Sequence, residues 1–185
     1  ALNELEELTG LKSVKKSIYD LIDLVADNYQ RELQGHQIME VVQNRLMLGN
    51  PGTGKTTVAK IYARVLKALG LVSKGSVELK TAADFIGQHV GETQTKTRSI
   101  LELCQGKVLV IDEAYCLNDN GYGKQAIDTL VGKVMGTPGE DIAVLLCGYD
   151  REMRDMLREQ NSGLARRFNP ENALIFEDYS NTALG

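Results

Sequence analysis

Residues 49–57 read "GNPGTGKTT", and the fold turns on them. They satisfy the pattern G-x-x-x-x-G-K-[ST] through Gly49, Gly54, Lys55 and Thr56. The flanks supply the context the pattern needs. "RLML", residues 45–48, is a short apolar run ended by Gly49 and Pro51, as a buried strand entering a tight loop would be. From Lys55 to Leu69 the apolar positions Val58, Ile61, Tyr62, Val65 and Leu69 recur on one helical face, with Gly70 after them. In such a strand-loop-helix unit, glycines let backbone N–H groups turn inward around phosphate oxygens, and the helix adds its positive end to the same spot. Lys55 is then placed to reach the β- and γ-phosphates of ATP, and the Thr56 hydroxyl to ligate Mg2+. The nucleotide-contacting set on this loop is Gly49, Pro51, Gly52, Thr53, Gly54, Lys55, Thr56 and Thr57.

A second chemical signal lies in "VLVIDEA", residues 108–114. Asp112 ends an apolar run, so its carboxylate emerges at the carboxyl edge of a sheet, where ligands of open α/β sheets collect, and it is a candidate to hold the metal's water shell. Glu113 is placed to polarise a water for attack on the γ-phosphate. An Asp-Glu pair after a strand is weak alone; with a phosphate loop earlier in the chain it points to a nucleoside triphosphatase.

Elsewhere the chain alternates between two patterns. Helical periodicity covers Lys12 to about Leu33 (Val14, Ile18, Leu21, Ile22, Val25, Tyr29), Thr93–Cys104 and Gln125–Met135. Strand-like runs are 76–79, 107–112, 142–147 and 173–176, and Thr81 with Asp84 has capping-box spacing. Apolar strands alternating with amphipathic helices predict a three-layer α/β fold, a central parallel sheet covered on both faces. The 185 residues carry 43% hydrophobic and 25% charged side chains, which excludes disordered, collagen-like and disulfide-scaffold classes. Net charge is -4 and Lys and Arg form no run, which argues against a nucleic-acid partner. Cys104, Cys116 and Cys147 show no C-x-x-C pairing and read as reduced core thiols of an intracellular, soluble protein. No run approaches a membrane span, and a first residue Ala1 reads as a segment of a longer chain. His36 reads as a surface imidazole, and "LNDNGYG", 117–123, as a mobile connection whose spacing fails the EF-hand pattern.

Taken together, "LTGLKSVKKSI", "GNPGTGKTTVAK", "GQHVGETQTKT", "VLVIDEAYCL", "GYGKQAIDTLVGKV" and "NSGLARRF" resemble, in order, the motifs of the AAA+ ATPases. Within them the match is to the branch containing the red-type Rubisco activase and the stage V sporulation protein K. The resemblance implies one AAA+ large α/β subdomain over residues 1–180, with 181–185 the truncated start of a helical lid that is otherwise absent. It implies adenine contact by Thr9, Gly10 and Leu11, and a homo-hexameric ring in which Arg167, with Arg166 beside it as fallback, completes a neighbour's ATP site. It implies that His89 and Val90 form a pore loop gripping a protein substrate, His89 standing where an aromatic residue is usual. Tyr149, in "LLCGYD", stands where many relatives carry a γ-phosphate-sensing asparagine; its phenol either donates there or packs against the next helix. The expected activity is Mg-dependent ATP hydrolysis coupled to remodelling of a protein partner. The alternatives are a nucleotide-gated scaffold and, less favoured, a nucleic-acid motor.

Overall fold

The computed structural model describes residues 1–8, 11–50, 54–137 and 139–177. The expectations for Thr9, Gly10, Pro51, Gly52, Thr53 and segment 181–185 fall outside them. Helices α1 (Leu2–Glu7) and α2 (Lys12–Leu33) precede strand β1 (Arg45–Leu48), and α3 (Lys55–Ala68) follows the phosphate loop. Then come β2 (Val77–Thr81), a 3-10 turn Ala82–Phe85, α4 (Glu92–Leu103) and β3 (Val108–Asp112). A second 3-10 turn, Ala114–Leu117, leads to α5 (Tyr122–Lys133), β4 (Ala143–Gly148), α6 (Asp150–Glu159), α7 (Ser162–Arg167), a third turn Pro170–Asn172 and β5 (Leu174–Ile175).

All strand pairs are parallel and the order is β2-β3-β4-β1-β5. The period-two geometry of a strand sorts the apolar runs onto two faces. Leu46, Leu48, Leu109, Ile111, Val144 and Leu146 pack with α4, α5 and α6. Met47, Val108, Val110, Ala143, Leu145 and Cys147 pack with α1, α2 and α3. Slipping any central strand by one residue would exchange its two apolar sets, so the register is strongly specified. That register brings Leu48 beside Gly148 and Ile111 beside Leu146, so the chain leaves β1, β4 and β3 at one carboxyl edge.

Several elements differ from the sequence expectation. Tyr29, counted on the buried face of α2, is 61% exposed, and Asn28 is buried instead. The Asn28 amide donates to the Met39 carbonyl and accepts the Met39 N–H, both at 2.8 Å, a paired contact that periodicity of apolar residues does not register. Cys116 is exposed rather than a core thiol, while Cys104 and Cys147 are buried. It lies in a 3-10 turn, where three residues make a turn and Ala114 and Leu117 share the inward face, leaving Cys116 outside. Stretch 117–123 is not a loose connection. Asp119 Oδ1 accepts the Gly121 and Lys124 N–H groups at 2.8 and 3.3 Å, Gln160 Nε2 donates to Asn118 Oδ1 and the Asp119 carbonyl, and α5 already begins at Tyr122. "SGLARR", to which the sequence periodicity assigns no element, is helix α7, capped by the Asn161 side chain accepting the Gly163 N–H at 2.9 Å.

Candidate functional site

The carboxyl edge of the sheet holds a cavity of about 270 Å³ lined by Gly54, Lys55, Thr56, Thr57, Asp112, Glu113, Tyr115, Cys147, Gly148 and Tyr149 among others. The register explains the convergence. Gly49 leaves β1 with its N–H donating to the Gly148 carbonyl at 3.2 Å, which ties the root of the phosphate loop to the exit of β4. Gly49 has no room for a side chain: an added Cβ would sit 2.7 Å from Phe176 Cβ and 2.9 Å from its carbonyl oxygen. Its role is close backbone approach. Gly54 has φ +89, a left-handed turn that sends the chain into α3. Lys55 Nζ donates to the Gly49 carbonyl at 2.9 Å, so the ammonium already spans the loop it is expected to serve.

On the facing wall, Asp112 ends β3 and its Oδ1 accepts the Glu113 N–H at 3.0 Å. Glu113 adopts φ 51, ψ 42, and among the described residues it alone combines a positive φ with a side chain. For an L-residue this left-handed pose costs about 1–2 kcal/mol. The strain turns the chain between the strand and the Ala114–Leu117 turn, and it leaves the Glu113 carboxylate exposed in the cavity wall. The Thr56 hydroxyl, on the opposite wall, has no partner among the described residues. Cys147 forms part of the cavity's floor. Burial pushes its thiol up to about 12, the Asp112 charge adding to the effect and the Lys55 charge opposing it, so at neutral pH it is an uncharged surface under the site.

Mg2+ typically keeps several waters and takes only one or two protein oxygens beside substrate phosphates. A free threonine hydroxyl opposite one strand-end carboxylate fits that donor set. Among the described residues no cluster of three or more His, Cys, Asp or Glu forms a closed metal cage.

Not every expected residue reaches this cavity. Leu11, expected at the adenine, caps α2 and is 2% exposed in the core with Val14 and Ile18. His89 and Val90 lie on a separate turn built for projection. Glu92 Oε2 accepts the N–H groups of Gln88 and His89 at 3.0 and 3.1 Å, the Gly87 N–H donates to Thr93 Oγ1 at 2.9 Å, and Lys96 Nζ caps the Ile86 carbonyl at 3.2 Å. The Gln88 amide, ahead of the His89 amide, holds the Glu92 carboxyl below the usual carboxylate range. Val90 at the tip is 95% exposed, an apolar side chain offered to solvent by a tied backbone.

The two arginines are at the opposite, amino edge. Each guanidinium nitrogen of Arg167 makes a local contact: Nε donates to the Val134 carbonyl at 2.7 Å, Nη1 to the Gly163 carbonyl at 3.1 Å, and Nη2 approaches Met135 Sδ at 3.3 Å. Arg166, one residue earlier, is exposed and has no partner among the described residues; it borders a cavity of about 550 Å³ with Ile38, Met39 and Met135. Neither arginine lines the phosphate-loop cavity of its own chain. Sequence reasoning missed Tyr115 and Gly148 as wall residues. An aromatic directly after the acid pair, and a glycine at the last position of an apolar strand, were the available signals.

A five-stranded parallel sheet with this order, a lysine-threonine loop after its first strand and an acid pair after its third define an α/β P-loop nucleoside-triphosphatase fold. Residues 45–169 match the ATPase family associated with various cellular activities (AAA), and the chain belongs to that family. It is 37% identical over 184 residues to stage V sporulation protein K of Bacillus subtilis, covering 98% of this chain and 56% of that protein. It is 41% identical over 165 residues to the chromosomal protein CbxX of Cupriavidus necator, covering 87% and 51%. It is 37% identical over 178 residues to the chloroplastic ribulose bisphosphate carboxylase/oxygenase activase of Cyanidioschyzon merolae, covering 94% and 59%. These relatives place it in the branch that the ordered motifs indicated. The chain spans about half the length of the curated relatives it matches. The crystal structure of the FIGL-1 AAA domain in complex with ADP aligns with a TM-score of 0.57 at 22% identity, over 90% of this chain and 53% of that one, which supports the fold alone. Among the described residues no helix is long and apolar enough to cross a membrane.

Proposed function

We propose that the chain is the nucleotide-binding module of an ATPase that couples Mg-dependent ATP hydrolysis to remodelling of a protein partner. The observation that carries this is the single cavity at the strand ends in which Lys55, Thr56, Asp112 and Glu113 converge. Lys55 and the loop amides bind the phosphates; Thr56 and Asp112 hold Mg2+, which when bound neutralises charge on the β- and γ-oxygens. Glu113 takes up the proton of the attacking water and orients it. Both arginines are turned away from their own chain's cavity; the exposed Arg166 serves the site of an adjacent copy in a ring, while Arg167 anchors the end of α7. His89 and Val90 contact the protein substrate. The tied turn beneath Val90 supports a mechanical role over a purely scaffolding one, because a rigid projection transmits displacement to whatever it touches.

The test is phosphate release by the full-length protein with and without magnesium, and with a denatured polypeptide as probe partner. The expected result is magnesium-dependent turnover, stimulated by the polypeptide, with stimulation lost in His89→Ala. Turnover stimulated equally in His89→Ala would take the grip away from this loop, and no turnover under any condition would end the hydrolytic reading.

Lys55→Ala gives a second, independent check. A hydrogen bond to a charged group contributes about 1.5–3 kcal/mol, so affinity for a slowly hydrolysed ATP analogue should fall by roughly 10- to 150-fold in calorimetry. The lost bond to the Gly49 carbonyl is a lesser effect on stability, about 1 kcal/mol. An affinity unchanged within twofold would show that the ammonium does not reach phosphate.

A further inference from the structure

The cavity of about 550 Å³ at the amino edge of the sheet has about twice the volume of the phosphate-loop cavity and lies within the range that organic ligands fill. Its polar wall is built of donors whose companion acceptors are already taken. Asn44 is buried, and its Oδ1 accepts the Val144 N–H at 2.8 Å, which fixes the orientation of its amide. An added Cβ on Gly136, itself on the cavity wall, would meet Asn44 Nδ2 at 3.7 Å, which places that nitrogen at the wall. Asn169 Oδ1 accepts the Glu171 N–H at 2.9 Å and so caps the Pro170–Asn172 turn. Both residues line the cavity, and neither NH2 group has a partner among the described residues. Arg166 adds an exposed guanidinium with no ion pair among the described residues.

A wall rich in donors calls for a ligand rich in acceptors, and the charge balance narrows the class. Two arginines, Arg166 and Arg167, stand against one carboxylate on the lining, Glu40, which leaves a single positive charge. One carboxylate neutralises it, whereas a phosphate dianion would carry a second charge with no partner. The same cavity is lined by Ile38, Met39 and Met135, all exposed, which offer an apolar surface to a hydrocarbon stem. We propose that this cavity binds an organic monocarboxylate with an apolar stem. The carboxylate draws on Arg166 and the amides of Asn44 and Asn169, and the stem covers Ile38, Met39 and Met135. A regulatory consequence rests on the proposed role of Arg166 toward an adjacent copy's site: an acid bound here withdraws that guanidinium and slows hydrolysis without entering the phosphate-loop cavity.

Hexanoate is the probe, titrated into the full-length protein by ligand-observed NMR beside hexanol, acetate and inorganic phosphate. It should bind about tenfold or more tighter than each of these, since the site needs both the carboxylate and the stem. Asn169→Asp keeps an oxygen to cap the turn and sets a negative charge where the amide donated. It should lower hexanoate affinity by about tenfold or more at a melting temperature near that of wild type, and Arg166→Ala should cause a similar loss. Asn169→Ser, which caps the turn without the amide, should also weaken binding and serves if the aspartate variant does not fold. Ile38→Ser should cut the preference for hexanoate over acetate by about threefold or more. Saturating hexanoate should slow phosphate release by wild type, with affinity for a slowly hydrolysed ATP analogue held within about twofold, because the arginine acts in the transition state. That inhibition should be lost in Asn169→Asp. Hexanoate bound no tighter than hexanol or inorganic phosphate overturns the proposal, as does an unchanged affinity in Asn169→Asp and Arg166→Ala, or binding that does not slow turnover. If magnesium-dependent turnover proceeds and hexanoate does not bind, only this proposal falls. If hexanoate binds with the expected variant pattern and no phosphate is released under any condition, the hydrolytic reading and the regulatory role fall while the site stands.

Discussion

Glu113→Gln is expected to lower ATP turnover by about 10²- to 10⁴-fold, the range over which a positioned general base acts, while leaving affinity for a slowly hydrolysed ATP analogue within about threefold of wild type. The amide keeps the size and the backbone pose of the acid and loses only its ability to accept a proton from water. Steady-state phosphate release together with calorimetry separates the two effects. Equal turnover in the variant and wild type would remove Glu113 from the mechanism.

The backbone at this position sharpens the expectation. Glu113 occupies a left-handed conformation that glycine adopts without strain, and among the described residues its carboxylate makes no hydrogen bond or ion pair: its N–H donates to Asp112 Oδ1 and its carbonyl accepts the Cys116 N–H, both at 3.0 Å and both kept by glycine. Glu113→Gly should therefore be inactive yet about as stable as wild type. Relief of about 1–2 kcal/mol of strain is set against the roughly 0.5–1 kcal/mol that glycine loses in conformational entropy. A melting temperature well below wild type would mean that the carboxylate supports the fold, and the interpretation of the strain as a functional feature would fail. A strained side chain that the fold does not need is the pattern expected of a site residue.

How far this site was legible from the residues depends on what kind of signal each part carries. The phosphate loop and the acid pair announce themselves because their chemistry requires fixed residue types at fixed local spacing, and the strands around them are apolar throughout, which two buried faces demand. Tyr115 and Tyr149 are 34 positions apart, and only the pairing of β3 and β4 brings their rings together. No local pattern encodes that register. Asn28 escaped for a related reason: its burial is compensated by a backbone partner eleven residues away, so a polar residue occupies a core position at no penalty that periodicity could show. The Ser162–Arg167 helix escaped because six residues are too few to display a period, and its start rests on a single capping side chain, Asn161. The turn carrying His89 and Val90 was visible from the glycines around it, but its tied backbone was not, since it comes from the Glu92 side chain folding back onto two amides.

The arginine pair gives the second large effect. Loss of an arginine acting on a neighbour's phosphates is expected to lower turnover of the assembled protein by about a thousandfold or more, and the two candidates differ in what else they do. Position in the motif implies Arg167. In the single chain, however, all three of its guanidinium nitrogens are occupied by the Val134 and Gly163 carbonyls and Met135 Sδ, which bolts the end of α7 to the end of α5. To reach another subunit it must surrender those contacts, whereas Arg166 is exposed and surrenders nothing. Arg166→Ala is therefore expected to abolish most turnover with no change in melting temperature. Arg167→Ala is expected to melt lower by roughly 2–6 °C, from the loss of about 1–2 kcal/mol of local bonding in a domain of this size, and to lose turnover because α7 no longer holds Arg166 in place. Adding an excess of Lys55→Ala subunits, which retain both arginines, should rescue turnover at intact sites in Arg166→Ala subunits if the arginine acts across the interface, and should not if it acts within its own chain. The opposite result for the pair, a thousandfold loss in Arg167→Ala at an unchanged melting temperature with Arg166→Ala fully active, would mean that the three local bonds are released on assembly and that Arg167 itself crosses to the neighbouring site.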